Sequence, residues 1–217
     1  MSLVLYGPLL LKGVLVTIGA WLVSGIFSFL LGTILGILSC QQLTVRPLKF
    51  VIRFYTFIAK GIPAYVQILI AYFVIPNLLG VNIPGFWAAT GALAFCSSGY
   101  VAEIIRAGIN SISQGQWQAC QVLGYPIKAA LWRVILPQVF RNILPGLFGE
   151  FEQLLKSTAL LATIGITELT RTGMNIISRE LNPVPVYSLI ALIYLVLAAL
   201  WQGLMVSLEK RGQNGSR

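Results

Sequence analysis

The chain has 217 residues, 57% of them hydrophobic and 10% charged, with a mean hydropathy of +0.85 and a formal net charge of +9. That balance lies far outside the range of a soluble domain and predicts an integral membrane protein. The cations are scattered singly between apolar runs, which argues against nucleic-acid binding, and the absence of His with only three isolated cysteines, Cys40, Cys96 and Cys120, argues against a zinc centre or a disulfide framework.

The apolar run at the N-terminus lacks a basic leader segment and continues past the length of a signal-peptide core, so it reads as a retained span. Residues 13–45 carry no charge. Since about 20 residues cross the hydrocarbon, a first helix is predicted near 14–38. Its Gly32 and Gly36 have the GxxxG spacing that permits close helix approach. Arg46, Lys49, Arg53 and Lys60 then crowd a polar connection, which the positive-inside rule places in the cytoplasm, with the N-terminus outside. Charge is again absent from Gly61 to Ala102, about twice the length of one crossing. Two helices are therefore predicted, near 61–78 and 86–109, separated by the turn formers Pro76, Asn77, Gly80, Asn82, Pro84 and Gly85. Glu103 and Arg106, three apart near the end of the third helix, are predicted to pair.

Ser113 to Pro137 is polar but poor in charge. Ser113 with Gln116 has the form of a capping box, and Gly124 followed by Pro126 supplies a stop, so a short helix is predicted near 114–124. Gln114, Gln118 and Gln121 fall on one face and Trp117, Cys120 and Gly124 on another. A helix of about ten residues is marginal alone in water and must be docked against something. Gly124, at the stop, is expected to need a positive φ or a close backbone approach.

A fourth helix near 138–163 carries Glu150, Glu152 and Lys156. A charge at the bilayer centre costs about 2.5–3.5 kcal/mol, so these side chains should face a cavity or a partner. Glu152 and Lys156, spaced i, i+4, can neutralise each other, which leaves Glu150 as the more available carboxylate unless Arg141 or a partner subunit pairs with it. Ser157 lies two turns further along the same face. Glu168, Arg171, Arg179 and Glu180 read as an external loop that sums to zero. A last helix near 186–208 ends in Glu209-Lys210-Arg211, a cytoplasmic stop, and 212–217 reads as a disordered polar tail. The fold class is thus all-α: one polytopic domain over 1–211, with five transmembrane helices, the N-terminus outside and the C-terminus inside.

The run Gln118, Ala119, Cys120, then Gly124, then Val134, Leu136 and Pro137 resembles the EAA loop of ABC-importer permeases, with matching spacing but with Gln118 in place of the usual glutamate and Cys120 in place of the second alanine. Lys60-Gly61-Ile62-Pro63 stands where polar amino acid permeases have R-G-T-P. SSGYVAEIIRAGI is close to S-G-A-Y-x-A-E-I-x-R-x-G-I, and GEFEQLLKSTAL is similar to N-E-F-x-x-L-L-K-D-T-S-L. The resemblance runs from about Leu10 to Arg211. It implies a type I ABC-importer permease subunit of a bacterial inner membrane that takes up a polar amino acid. Its implied partners are a second permease, identical or homologous, two ABC ATPase subunits and an extracytoplasmic solute-binding protein.

The chain itself contains no GxxxxGK[ST] stretch, so ATP would bind the partner subunit. No catalytic residue, metal or cofactor is expected. In the family the EAA loop is the coupling helix that docks on the ATPase, and here Gln114, Trp117, Gln118, Ala119, Cys120 and Gly124 would form it. The family's glutamate and aspartate on the fourth helix are associated with the substrate pathway. Glu150 keeps the first, Ser157 replaces the second, and Ser97, Ser98 and Gln67 complete an expected polar site. A site with one acid favours a neutral polar amino acid such as glutamine over arginine or lysine. The alternative is a stand-alone secondary transporter or channel, against which the absence of an internal inverted repeat counts.

Overall fold

The computed structural model describes residues 3–40 and 46–214, and every regular element among them is helical. Helix α1 spans Leu3–Leu38, a longer run than the sequence predicts because the apolar stretch before Gly13 continues the same helix. Helix α2, Arg46–Gly61, occupies the stretch expected to be a polar connection. Its cations recur at 46, 49, 53 and 60 on one side, while Ile52 and Ala59 are buried on another, so a helical period underlies what reads in the sequence as a charge cluster.

At Ile62-Pro63 the chain turns through 98° into α3, Ala64–Leu79. Proline fixes its own φ and pushes the preceding residue out of the helical region, which ends α2 at that point. Inside α3 the ladder widens to a π turn over Ile70–Val74 immediately before Pro76, a residue with no N–H to donate. Gly80, at φ +63, closes α3. Helix α4 is Gly85–Asn110 and α5 is Gln114–Val122. A single turn at Ile127–Ala130 and a π turn at Leu131–Ile135 lead into α6, Leu136–Ser157, which tightens to a 3-10 turn over Thr158–Ile164. Helix α7 is Leu169–Glu180 and α8 is Pro183–Asn214.

Three helical stretches among the described residues are long and apolar enough to cross a membrane, namely Tyr6–Leu38, Gly85–Asn110 and Pro183–Leu208, and the bent pair of α2 and α3 makes a fourth if it is one broken span. Helix α6 falls short because Arg141, Glu150, Glu152 and Lys156 lower its hydropathy, although 22 residues would suffice in length. The spanning window of α4 is 67% buried, against 28% for α1 and 11% for α8, so α4 is the central post and the other two present apolar faces outward.

Helix α1 packs most extensively on α4. A Cβ placed at Gly32 would lie 2.6 Å from Val101 Cβ and 2.8 Å from the Ser98 carbonyl oxygen. One at Gly36 would lie 2.6 Å from Ile105 Cβ and 2.8 Å from the Ala102 carbonyl oxygen. The GxxxG pair is therefore a backbone-to-backbone seam. Aromatic groups fasten α6 to its neighbours. Trp21 on α1 donates to the Phe151 carbonyl at 2.8 Å, Trp201 on α8 donates to the Phe148 carbonyl at 2.9 Å, and the two indoles meet edge to face at 4.9 Å.

Two expectations about the C-terminal third are corrected. The stretch read as an external loop of mixed charge is α7, and Glu168 is fully buried at its start, accepting from the backbone N–H groups of Thr170 at 2.8 Å and Arg171 at 2.7 Å and from Tyr194 at 3.1 Å. Those donors replace the water that a buried carboxylate loses, so the charge can sit inside. Burial raises the Glu168 pKa, and the same hydrogen bonds oppose that rise. The tail read as disordered is helical as far as Asn214, and residues 215–217 lie outside the described residues.

Gly36→Ala is expected to lower stability by about 1–3 kcal/mol through overpacking of the seam. Gly19→Ala on the same helix, where nothing lies within 4 Å, should be close to neutral. Thermal unfolding of the two variants in detergent checks the difference.

Candidate functional site

Glu150 projects from α6 into a cavity of about 270 Å³ between α4, α6 and the bend at Ile62-Pro63. Its wall brings together Lys60, Ser97, Tyr100, Glu150, Gln153 and Ser157. Ser97 is buried and donates to Glu150 Oε1 at 2.7 Å. Ser157, seven residues past Glu150, lines the same wall and donates to the Gln153 carbonyl at 2.9 Å, which leaves its oxygen lone pairs able to accept. The neighbouring charges are spent elsewhere. Glu152 Oε1 takes Lys156 at 2.6 Å and Oε2 takes Gln202 at 3.0 Å, as the i, i+4 spacing suggests, while no hydrogen bond or ion pair joins Glu150 to Arg141.

The cavity also holds a cation that sequence reasoning missed. Lys60 lines it, pairs with Glu103 and stands over the Tyr100 ring at 5.2 Å from the centroid. Glu103 thus pairs across helices with Lys60 and not with Arg106 three residues on. Gly99 makes the approach of α2 to α4 possible: a Cβ there would lie 2.9 Å from Ala59 Cβ. The sequence clue was present in the Lys60-Gly61-Ile62-Pro63 run, read as a topology mark instead of a site.

Two of the expected pathway residues lie elsewhere. Ser98 is one position round α4 from Ser97, hydrogen-bonds Tyr55 on α2 at 2.6 Å and donates to the Phe95 carbonyl at 2.7 Å. Gln67 is buried and its Nε2 donates to the Ala59 carbonyl at 2.8 Å and the Ile62 carbonyl at 2.7 Å. Both carbonyls lie at the frayed end of α2, where Pro63 has no N–H to offer, so Gln67 ties the bend together.

Helix α5 is a second surface feature. The Ser113 side chain makes no cap bond to α5, so the expected capping box does not form, and the Ser113 carbonyl instead takes the Gln116 N–H at 3.1 Å. Gly124 has φ +74, and the Tyr125 N–H reaches back to the Cys120 carbonyl at 2.9 Å, a left-handed stop of the expected kind. Trp117 and Cys120 are buried; Trp117 packs with Ile105, Ile109, Leu131 and Ile135 in the chain's own core. They anchor the helix. Gln114, Gln118, Ala119, Gln121 and Val122 face outward, with Leu123 74% exposed and Val122 87% exposed beyond them.

An apolar helical shell around a charged, hydrogen-bonded cavity, with a small anchored helix at its edge, defines a multi-pass membrane transport component. The chain belongs to the family of binding-protein-dependent transport system inner membrane components, whose model matches residues 14–213. It is 36% identical over 204 residues to the arginine transport system permease protein ArtQ of Bacillus subtilis (strain 168), covering 94% of this chain and 92% of that protein. It is 35% identical over 162 residues to a putative glutamine transport system permease protein GlnP of Rickettsia conorii, covering 75% and 73%. A crystal structure of an amino acid ABC transporter with histidines contains a chain 36% identical to this one, superposing with a TM-score of 0.89 over 97% of each chain.

Gln67→Leu, which keeps the bulk but strands two buried carbonyls, is expected to cost about 1–3 kcal/mol per unmade bond. Thermal unfolding in detergent should show that loss, whereas a residue that only touched solute would change uptake without it.

Proposed function

We propose that the chain is the membrane permease subunit of an ABC importer for polar amino acids, driven by ATP hydrolysis on separate subunits. The observation that carries this reading is the Glu150 cavity: one carboxylate with a single hydroxyl partner, facing a lysine, within a shell otherwise apolar. An amino acid carries an ammonium and a carboxylate a short distance apart. Glu150 would take the ammonium and Lys60 the carboxylate, with Ser97 and Ser157 supplying hydrogen bonds. One acid in the wall still favours a neutral polar side chain over a second cation. Arginine and glutamine, named for the transport systems of the two relatives, bracket that choice.

The arrangement proposed in the membrane is five spans, with α6 as the fourth despite its charges, the N-terminus outside and the C-terminus inside. Its support is the excess of Lys and Arg in α2 and around α5, on what would be one side. In that arrangement α5 is the cytoplasmic coupling helix and offers Gln114, Gln118, Ala119 and the Gly124 turn to an ATPase, while Trp117 and Cys120 transmit its motion into the core. Two ATPase subunits, a second permease and an extracytoplasmic solute-binding protein complete the assembly, in a bacterial inner membrane. The chain needs no cofactor of its own in this scheme.

Two variants separate the functions in proteoliposomes that hold the full importer. Glu150→Gln should reduce uptake roughly ten- to hundredfold, the worth of one charge-assisted contact, while ATP hydrolysis stimulated by the binding protein persists. Gly124→Val, strained at φ +74, should insert normally and lose that stimulation. Unchanged uptake by Glu150→Gln would remove Glu150 from the pathway, and full coupling in Gly124→Val would remove α5 from the ATPase contact.

Orientation has its own measurement. In a cysteine-free background, single cysteines at the exposed positions Asn82 and Asn175 should label with an impermeant reagent from outside intact cells, and one at Gln114 should not. Outside labelling at Gln114 would invert the topology.

A further inference from the structure

Three of the four cations on α2 play no part in the transport reading. The helix has three stripes: Ile52 and Ala59 turn to the core, Arg46, Lys49, Arg53 and Lys60 follow one side, and Phe50, Phe54 and Phe57 run beside the cations with 73%, 58% and 74% exposure. No acidic residue occurs in α2. Where it meets the end of α1 and the last turns of α4, a cavity of about 330 Å³ opens, lined by Arg53, Thr56, Phe57, Lys60, Glu103 and Arg106 among others. Lys60 is taken by Glu103, so Arg53 and Arg106 stand there with no carboxylate partner among the described residues.

We propose that this cavity binds the phosphate headgroup of an anionic phospholipid, with an acyl chain lying along Phe50, Phe54 and Phe57. Two arginines lining one cavity match a phosphate in charge and in the fork geometry of their donors. The phenylalanine stripe decides between a lipid and a soluble phosphate. A small anion would leave three large apolar side chains in water, whereas a lipid covers them and the cations at once. A basic amphipathic helix at the membrane interface draws anionic lipids in the same way. That the leaflet is the cytoplasmic one rests on the proposed orientation, but binding itself does not, so failure of one leaves the other standing.

The test uses the purified permease–ATPase complex, native mass spectrometry, and equimolar phosphatidylglycerol and phosphatidylcholine. The wild-type complex should retain phosphatidylglycerol about tenfold over phosphatidylcholine, and inorganic phosphate should not displace it. Arg53→Gln with Arg106→Gln should bring that ratio to about one, while Arg53→Lys with Arg106→Lys, which keeps the charge but loses the fork, should leave a preference between those of wild type and the glutamine variant. The proposal is overturned if wild type shows no preference, if the double glutamine variant keeps it, or if inorganic phosphate competes the lipid away. It is equally overturned if a cysteine in place of Phe54 forms a disulfide between two permease copies in native membranes, because a protein would then cover the stripe.

Discussion

The seam between α1 and α4 is the contact on which the rest of the molecule depends. In lipid, apolar side chains gain nothing by leaving an apolar solvent, so helices associate through close packing and through the polar groups they satisfy together. Gly32 and Gly36 let α1 rest on the Ser98 and Ala102 carbonyls and on Val101 and Ile105. The other side of α4 uses the same device. Gly99 admits α2, and Gly108, where a Cβ would lie 2.2 Å from Ile143 Cγ2, admits α6. A post this thin holds three helices near enough for Ser97 to reach Glu150 across a single hydrogen bond.

Charge is then distributed by a simple rule: Glu103, Glu150, Glu152 and Glu168 each have a partner, and the partners differ in strength. Glu103 has an ammonium, Glu152 has an ammonium and an amide, and Glu168 has two backbone N–H groups and a phenol. Glu150 has one neutral hydroxyl. An ionised carboxylate has about four acceptor sites, so Glu150 retains unused capacity, and it faces a cavity where a solute could use it.

Helix α5 shows a similar division of labour within nine residues. Its large side chain, Trp117, is committed inward, so the helix is fixed to the core, while its outward face is made of amides, Ala119 and Val122. A buried tryptophan also explains how a helix too short to be stable alone persists at all.

By itself the sequence determined the membrane class, the all-helical fold, the close-approach glycines, the short helix with its left-handed stop at Gly124 and the pairing of Glu152 with Lys156. Each of these follows from composition, from periodicity or from spacing within a few residues, where chain connectivity alone brings groups together. The tertiary structure decided what depends on the crossing of separate helices. Glu103 pairs with Lys60 instead of Arg106, and Ser97 faces Glu150 while adjacent Ser98 faces Tyr55. Gln67 secures a bend instead of facing the cavity, and Glu168 is an interior cap. Successive residues on a helix point about 100° apart. A polar residue can therefore be located on its helix from sequence, but which of its neighbours' faces it meets is set only when the helices have packed.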